Sequence, residues 1–355
     1  MRRRACRPGR DCRKVSIGIP NRSASASIRG AQEFSNLIAK ASILMTVPYK
    51  PCPTLRQALV EAEESLVAGP HPARARRDAE TLLLLALRRA APETNRAWLI
   101  AHADERLAPG MEAIFSAFMA RRKAGEPVQY IAGETEFYGL SFHVNRDVLI
   151  PRPETELLVE AAIDRTRKLR SSRAAQPPRI VDVGTGSGAI AVALAHALPF
   201  AEIAAIDLST AALAVAEANA RRNGVAGRIR FFAGDLLAPV AGERFDLVVS
   251  NPPYVAERDR ATLDAEVRNF EPGQALFAGE DGLGVYRRLL PAVFHALAAG
   301  GALLLEIGHG QQQALAELLA LQGFAAIEFL PDLQGIARVA LARRPESQPG
   351  KLPRA

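Results

Sequence analysis

Three observations predict an α/β fold, with a mostly parallel sheet covered by helices on both faces and a small helical bundle ahead of it. First, Ile180–Val183, Ile203–Ile206, Ile229–Phe232, Leu247–Val249 and Ala302–Leu305 are short apolar runs of strand length, with helical patterns between most of them. Strands that are apolar throughout and separated by helices belong to parallel sheets buried on both faces. Second, Gly323 to Ala342 reads as two more strands joined at Pro331-Asp332, an antiparallel finish that brings the sheet to seven strands. Third, the stretch from Thr54 to Lys123 carries apolar residues at helical spacing.

The helical part is read element by element. Thr54 and Gln57 have capping-box spacing, and Leu55, Leu59, Ala62 and Leu66 then share one face until Gly69. A second helix is expected from about Pro72 to Ala90, a short one around Trp98, and a fourth from about Pro109 to Lys123, ended by Gly125 and Pro127. β-formers around Gly133 and Gly139 (Val128, Tyr130 and Ile131, then Phe137, Tyr138, Phe142 and Val144) predict a strand pair as connector. Pro151-Arg152-Pro153-Glu154-Thr155-Glu156 is a rigid turn into an amphipathic helix expected to point Leu157, Leu158 and Ala161 inward. The predicted organisation is an extension over residues 1–44, a helical domain over 45–124, a connector over 125–150, the α/β domain over 151–343 and a tail over 344–355.

Composition limits the function. A chain of 355 residues, 48% hydrophobic and 23% charged, can fill globular cores. No apolar run reaches the roughly 18 residues of a membrane helix, which excludes a transmembrane protein. The net charge of +7 belongs to one end: residues 1–50 hold eleven Lys or Arg against two acids, leaving −2 on the other 305. Residues 51–150 carry twelve bases against thirteen acids, so no phosphate-binding surplus marks the helical domain and direct nucleic-acid binding is not expected. The Arg- and Ser-rich start has two readings, a targeting segment or an upstream stretch ahead of a true start at Met45. Cys6, Cys12 and Cys52 are the only cysteines, and no two histidines stand at i, i+4, so a metal-free, cytoplasmic chain is expected.

The chemistry concentrates at strand ends. Asp182-Val183-Gly184-Thr185-Gly186-Ser187-Gly188 follows the first strand and opens a helix, where glycines permit tight turns and close backbone approach to a ligand. With Ala189 it also satisfies G-x-G-x-x-A, which keeps a nicotinamide oxidoreductase in play. Asp207 closes the second strand, where a carboxylate can accept both ribose hydroxyls of NAD or S-adenosylmethionine alike. After the third strand, Asp235 adds a further ligand-side acid and Leu236 offers a wall for an adenine ring. The fourth strand runs into Ser250-Asn251-Pro252-Pro253-Tyr254. An amide side chain, carbonyls and an aromatic ring there have the parts to hold a planar NH₂ group. Such a nitrogen is a poor nucleophile because its lone pair is delocalised, so orientation toward a methyl sulfonium is the catalytic device expected.

These residues resemble the HemK/PrmC family of release factor glutamine methyltransferases, over most of the chain from about Thr54 to Arg343. Besides the glycine loop and Asn251 to Tyr254, the likeness is carried by Arg77-Asp78-Ala79-Glu80, Gly125-Glu126-Pro127, Phe137-Tyr138, Ile150 to Glu156, Arg268-Asn269-Phe270-Glu271-Pro272 and Leu305-Glu306-Ile307-Gly308. The resemblance implies a class I, Rossmann-like, S-adenosylmethionine-dependent methyltransferase fold. It also implies methylation of the glutamine side-chain amide in the Gly-Gly-Gln motif of class 1 peptide chain release factors. Carried over by position, Gly184, Thr185, Gly186, Ser187, Gly188, Asp207 and Leu236 line the cofactor site, and Asn251, Pro252, Pro253 and Tyr254 hold the glutamine, with residues 54–124 docking the release factor. Related sequences often place an aromatic where Leu236 stands, which leaves the adenine packing open. Arg152, Glu154 and Glu306 are each open between site and structural roles. The alternative class is a nucleic-acid amino-methyltransferase acting on adenine N6 or cytosine N4, which shares the Asn-Pro-Pro-Tyr logic. A monomer is expected.

Overall fold

The computed structural model describes residues 52–172 and 176–346, so the expectations for residues 1–44 and for the tail beyond 346 lie outside the described residues. The chain opens with α1 (Leu55–Val67), whose capping box forms as expected: Gln57 N–H donates to Thr54 Oγ1 at 3.2 Å and Thr54 N–H to Gln57 Oε1 at 2.9 Å. A short 3₁₀ turn over Pro72–Arg74 leads into α2 (Ala75–Arg88), followed by α3 (Arg96–Ala101) and α4 (Pro109–Lys123). Leu59 and Leu66 of α1, Leu82, Leu83 and Ala86 of α2, and Phe115 and Met119 of α4 form one buried core.

The connector departs from expectation in its first half. Val128–Ala132 is a helical turn, α5, not a strand; it starts after Pro127 and ends at Gly133, whose φ of 78° no β-branched residue would take. Packing overrides β-propensity here. Ile131 joins the helical core, while the Tyr130 hydroxyl donates to the buried Val148 carbonyl at 2.6 Å. The strand pair is β1 (Glu134–Phe137) with β2 (Leu140–His143), turning through Tyr138 and Gly139 at φ 53° and 70°. Positive φ at both loop residues matches the twist of a two-residue hairpin. Asn219 ties this hairpin to the sheet: its Oδ1 accepts from His143 N–H at 2.7 Å, and its Nδ2 donates to the carbonyls of His143 and Ser187.

Helix α6 (Thr155–Ser172) buries Leu158, Val159, Ala162 and Ile163, a face shifted toward Val159 from the predicted one, with Leu157 and Ala161 only half-buried. Then come β3 (Arg179–Val183), α7 (Ala189–Ala197), β4 (Glu202–Asp207), α8 (Thr210–Arg222), β5 (Ile229–Ala233) and β6 (Phe245–Ser250). After β6 the chain makes α9 (Ala265–Phe270), α10 (Gly284–Ala296), β7 (Leu297–Glu306), α11 (Gln312–Leu321), β8 (Ala325–Pro331) and β9 (Ala337–Arg343). The seven strands lie in the order β5-β4-β3-β6-β7-β9-β8, parallel except for β9, which is antiparallel to both β7 and β8. Alternate strand residues enter opposite layers. Ile180, Ile203, Leu247 and Leu304 pack with α6 and α7, whereas Val181, Ile206, Val248 and Leu305 pack with α10 and α11. The order reverses between β3 and β6, and the crevice at the carboxyl ends beside such a switch point is where open α/β sheets bind ligands.

A buried charge joins the helices to the lobe that follows β6. Arg122 of α4, 2% exposed, donates to Asp78 of α2 at 2.7 Å, to Glu266 of α9 at 2.9 Å and to the Glu126 carbonyl at 2.9 Å. No helix among the described residues is long and apolar enough to cross a membrane.

Candidate active site

A cleft of ≈ 350 Å³ opens at the carboxyl ends of β3, β4, β5 and β6. Gly184, Thr185, Gly186, Ser187, Asp207, Asp235, Leu236, Asn251, Pro252 and Pro253 all line it. Of the predicted site residues, Gly188 and Tyr254 do not.

The glycine loop is shaped by left-handed backbone at Gly184, Gly186 and Gly188, with φ of 74°, 54° and 80°. A Cβ on Gly184 or Gly186 would meet nothing within 4 Å, so their hydrogens leave a floor free of side chains. At Gly188 the need is different: a Cβ would stand 3.0 Å from Ala216 Cβ, so this glycine lets the loop press against α8. Asp182 braces the loop from within β3. Its Oδ2 accepts from Thr185 Oγ1 at 2.7 Å and from Ala191 N–H at 3.2 Å, while Oδ1 has no partner. Burial pushes this carboxyl up to about 7 against those two hydrogen bonds.

Asp207 is aimed by the backbone. Oδ2 accepts Gly186 N–H and Oδ1 accepts Ser209 N–H, both at 2.8 Å, which leaves lone pairs on both oxygens for vicinal hydroxyls. Beyond β5, Leu236 holds φ 49°, a backbone strained for a residue with a side chain, and lines the cleft half-buried. The Asp235 carboxylate, which the sequence leaves free for a ligand, is ion-paired with Arg288 of α10.

At the β6 end, Ser250 Oγ donates to the Val183 carbonyl at 2.6 Å and fixes the loop to β3. Asn251 Nδ2 donates to Thr155 Oγ1 at 3.1 Å, and among the described residues no donor reaches Asn251 Oδ1. Thr155 Oγ1 donates in turn to Glu306 Oε2 at 2.6 Å, and the Tyr254 hydroxyl donates to Glu306 Oε1 at 3.2 Å. Burial raises the Glu306 carboxyl above the ordinary range, with the two hydroxyls opposing. Burial, then the Glu306 charge, raises the Tyr254 phenol, so it remains a neutral donor. The Tyr254 carbonyl is held by Gln311 Nε2 at 2.9 Å.

Residues with no predicted site role complete the walls. Thr155, Leu208, Gln274, Phe277 and Arg288 line the cleft, as does Arg152, one of the residues left open. Arg152 pairs with the buried Glu271 at 2.5 Å, so it serves the rim and the lobe together. The only sequence signal for Thr155 was its motif, and nothing in one sequence announces a partner 151 residues away. The structure also brings His71 beside Asp264 and Glu266, a trio within metal-ligand reach that sequence spacing does not show; Arg74 and Arg122 already occupy Glu266.

Glycine-lined floor, a carboxylate with lone pairs to spare and an amide-bearing loop share one cleft at the switch point, and these residues suit S-adenosylmethionine. Fold and site together define a class I, S-adenosylmethionine-dependent methyltransferase. A family model described as PrmC N-terminal domain matches residues 57–133, and one described as Methyltransferase small domain matches residues 158–273. The release factor glutamine methyltransferase of Moorella thermoacetica is 45% identical over 294 residues, covering 82% of this chain and 99% of that protein. Those of Koribacter versatilis and Cereibacter sphaeroides are 40% and 44% identical, covering 83% and 76% of this chain and 100% and 92% of their own. The chain belongs to the release factor glutamine methyltransferase family.

Proposed function

We propose that this protein methylates the side-chain amide nitrogen (N5) of the glutamine in the Gly-Gly-Gln motif of class 1 peptide chain release factors. The observation that carries this reading is the unengaged Oδ1 of Asn251, held at the β6 end in the same cleft as Asp207 and the glycine loop. Gly184 to Ser187, Asp207 and Leu236 hold the cofactor, and Asn251 to Pro253 hold the acceptor. Asp235 acts on the cofactor side through its position on the cleft wall.

When bound, S-adenosylmethionine supplies a methyl group made electrophilic by its sulfonium. The work of the chain is orientation. Asn251 Oδ1 and the Pro252 carbonyl accept the two N–H bonds of the glutamine carboxamide and turn its lone pair toward the methyl, while Tyr254 supports the loop. As the N–C bond forms, the methyl's bond to sulfur would break and S-adenosylhomocysteine would leave; the amide nitrogen becomes strongly acidic and gives a proton to water, so a strong general base is not needed. Alignment of this kind can recover on the order of 7–11 kcal/mol of barrier.

Family membership and the near-neutral helices support a protein acceptor over a nucleic acid, and residues 54–124 are assigned to docking the release factor. We place the enzyme in the cytoplasm as a monomer. Mass spectrometry of a Gly-Gly-Gln peptide incubated with isotopically labelled cofactor tests the reaction. The reading predicts one added methyl on glutamine, and a labelled residue of any other type would refute it.

A further inference from the structure

The hydrogen bonds behind Asn251 run in one direction, and that direction decides which end of its amide meets the substrate. Glu306 Oε2 accepts the Thr155 hydroxyl hydrogen at 2.6 Å. With its hydrogen committed, Thr155 Oγ1 offers Asn251 only a lone pair, and the one donor on the Asn251 side chain is Nδ2, 3.1 Å away. The amide therefore faces Thr155 with its NH₂ and the cleft with its oxygen. Turned over, it would present a donor to the N–H bonds of a carboxamide, two donors face to face with no acceptor between them. Thr155 is buried and Glu306 is 3% exposed, so water does not compete for the bond between them. The second carboxylate oxygen is engaged by Tyr254, so one buried group sets both the Asn251 amide and the Tyr254 hydroxyl.

We propose that Thr155 and Glu306 are positioning residues for methyl transfer, fixing the Asn251 amide with its carbonyl toward the acceptor nitrogen through a one-way chain from Asn251 to Thr155 to Glu306. The inference rests on the reading of Asn251 as the acceptor clamp. It assigns work to two side chains that sit 96 and 55 residues from Asn251 in the chain and come from α6 and β7. Thr155 touches the clamp from behind, and among the described residues the Glu306 side chain hydrogen-bonds only Thr155 and Tyr254.

Neutron diffraction of the wild-type protein reads the chain directly. The expected result is deuterium on Thr155 Oγ1 pointing to Glu306, with both Asn251 deuterons on the Thr155 side. Asn251 Oδ1 facing Thr155 overturns the inference whatever the turnover. Kinetics on a Gly-Gly-Gln peptide give the second arm. Thr155→Val, which keeps shape and removes the hydroxyl, should lower kcat about 100-fold. S-adenosylhomocysteine affinity by calorimetry should stay within about twofold, and Thr155→Ser should recover most of kcat. Unchanged kcat in Thr155→Val, or a parallel loss of cofactor affinity that Thr155→Ser fails to rescue, contradicts the positioning role. Failure of the wild type itself to methylate glutamine defeats the proposed function instead, and the neutron result still decides the orientation.

Discussion

At the scale of single residues, the proposed function divides the labour of the site between Asn251 and Asp207. With Asn251 on the acceptor as proposed, Asn251→Ala is expected to lower kcat by ~10²–10³-fold with cofactor affinity nearly unchanged. With Asp207 on the cofactor as proposed, Asp207→Ala should first weaken S-adenosylhomocysteine binding, read by calorimetry. Reversed assignments, with cofactor affinity lost at Asn251 and kept at Asp207, would contradict this division. Asp182 acts on stability instead. Its folded pKa of about 7 lies above the ordinary carboxylate range, so the folded state holds its proton more tightly than the unfolded chain does. That contribution is fully present below about pH 4 and is lost as pH rises through about 7. Asp182→Asn should therefore flatten the fall of Tm between those limits, with Glu271 and Glu306, also raised by burial, keeping part of the slope. An unaltered slope in the variant contradicts the assignment.

At the scale of elements, the strands were legible because two-sided burial writes a continuous apolar run, as in Ile180–Val183 and Leu247–Val249. The α1 capping box and the span of α4 from Pro109 to Lys123 were legible because Thr, Pro and Gly act locally. The turn α5 was not, because Val128, Tyr130 and Ile131 carry β-propensity and are made helical by partners elsewhere in the chain. The shifted inward face of α6 has the same cause: the sheet beneath it selects Val159 and Ile163 over Leu157. Likewise the sequence showed the glycine loop and Asn251 to Tyr254, which are contiguous, but not the Arg122 and Glu306 contacts, which the topology assembles. Arg122 joins α4 to α2 and α9, so Arg122→Met should cost about 3–5 kcal/mol by leaving the buried Asp78 and the half-buried Glu266 without it. Urea unfolding measures the loss, and a cost below about 1 kcal/mol would show that Arg74 alone satisfies Glu266.

At the scale of the whole molecule, a nearly neutral helical bundle is clamped through Arg122 to the lobe after β6, and that lobe lends Pro272, Gln274 and Phe277 to the cleft wall. The proposed docking role has the acceptor's loop enter the cleft while its body meets the helices. An intact release factor should accordingly show a higher kcat/KM than a Gly-Gly-Gln peptide, and equal values would remove the docking role from residues 54–124. The most direct measurement sets acceptors side by side: intact release factor, the same factor with its motif glutamine replaced by glutamate, duplex DNA and rRNA, each with methyl-labelled S-adenosylmethionine. Label on the glutamine nitrogen of the intact factor alone is the predicted result. Label on either nucleic acid, with the release factor left unmodified, contradicts the account.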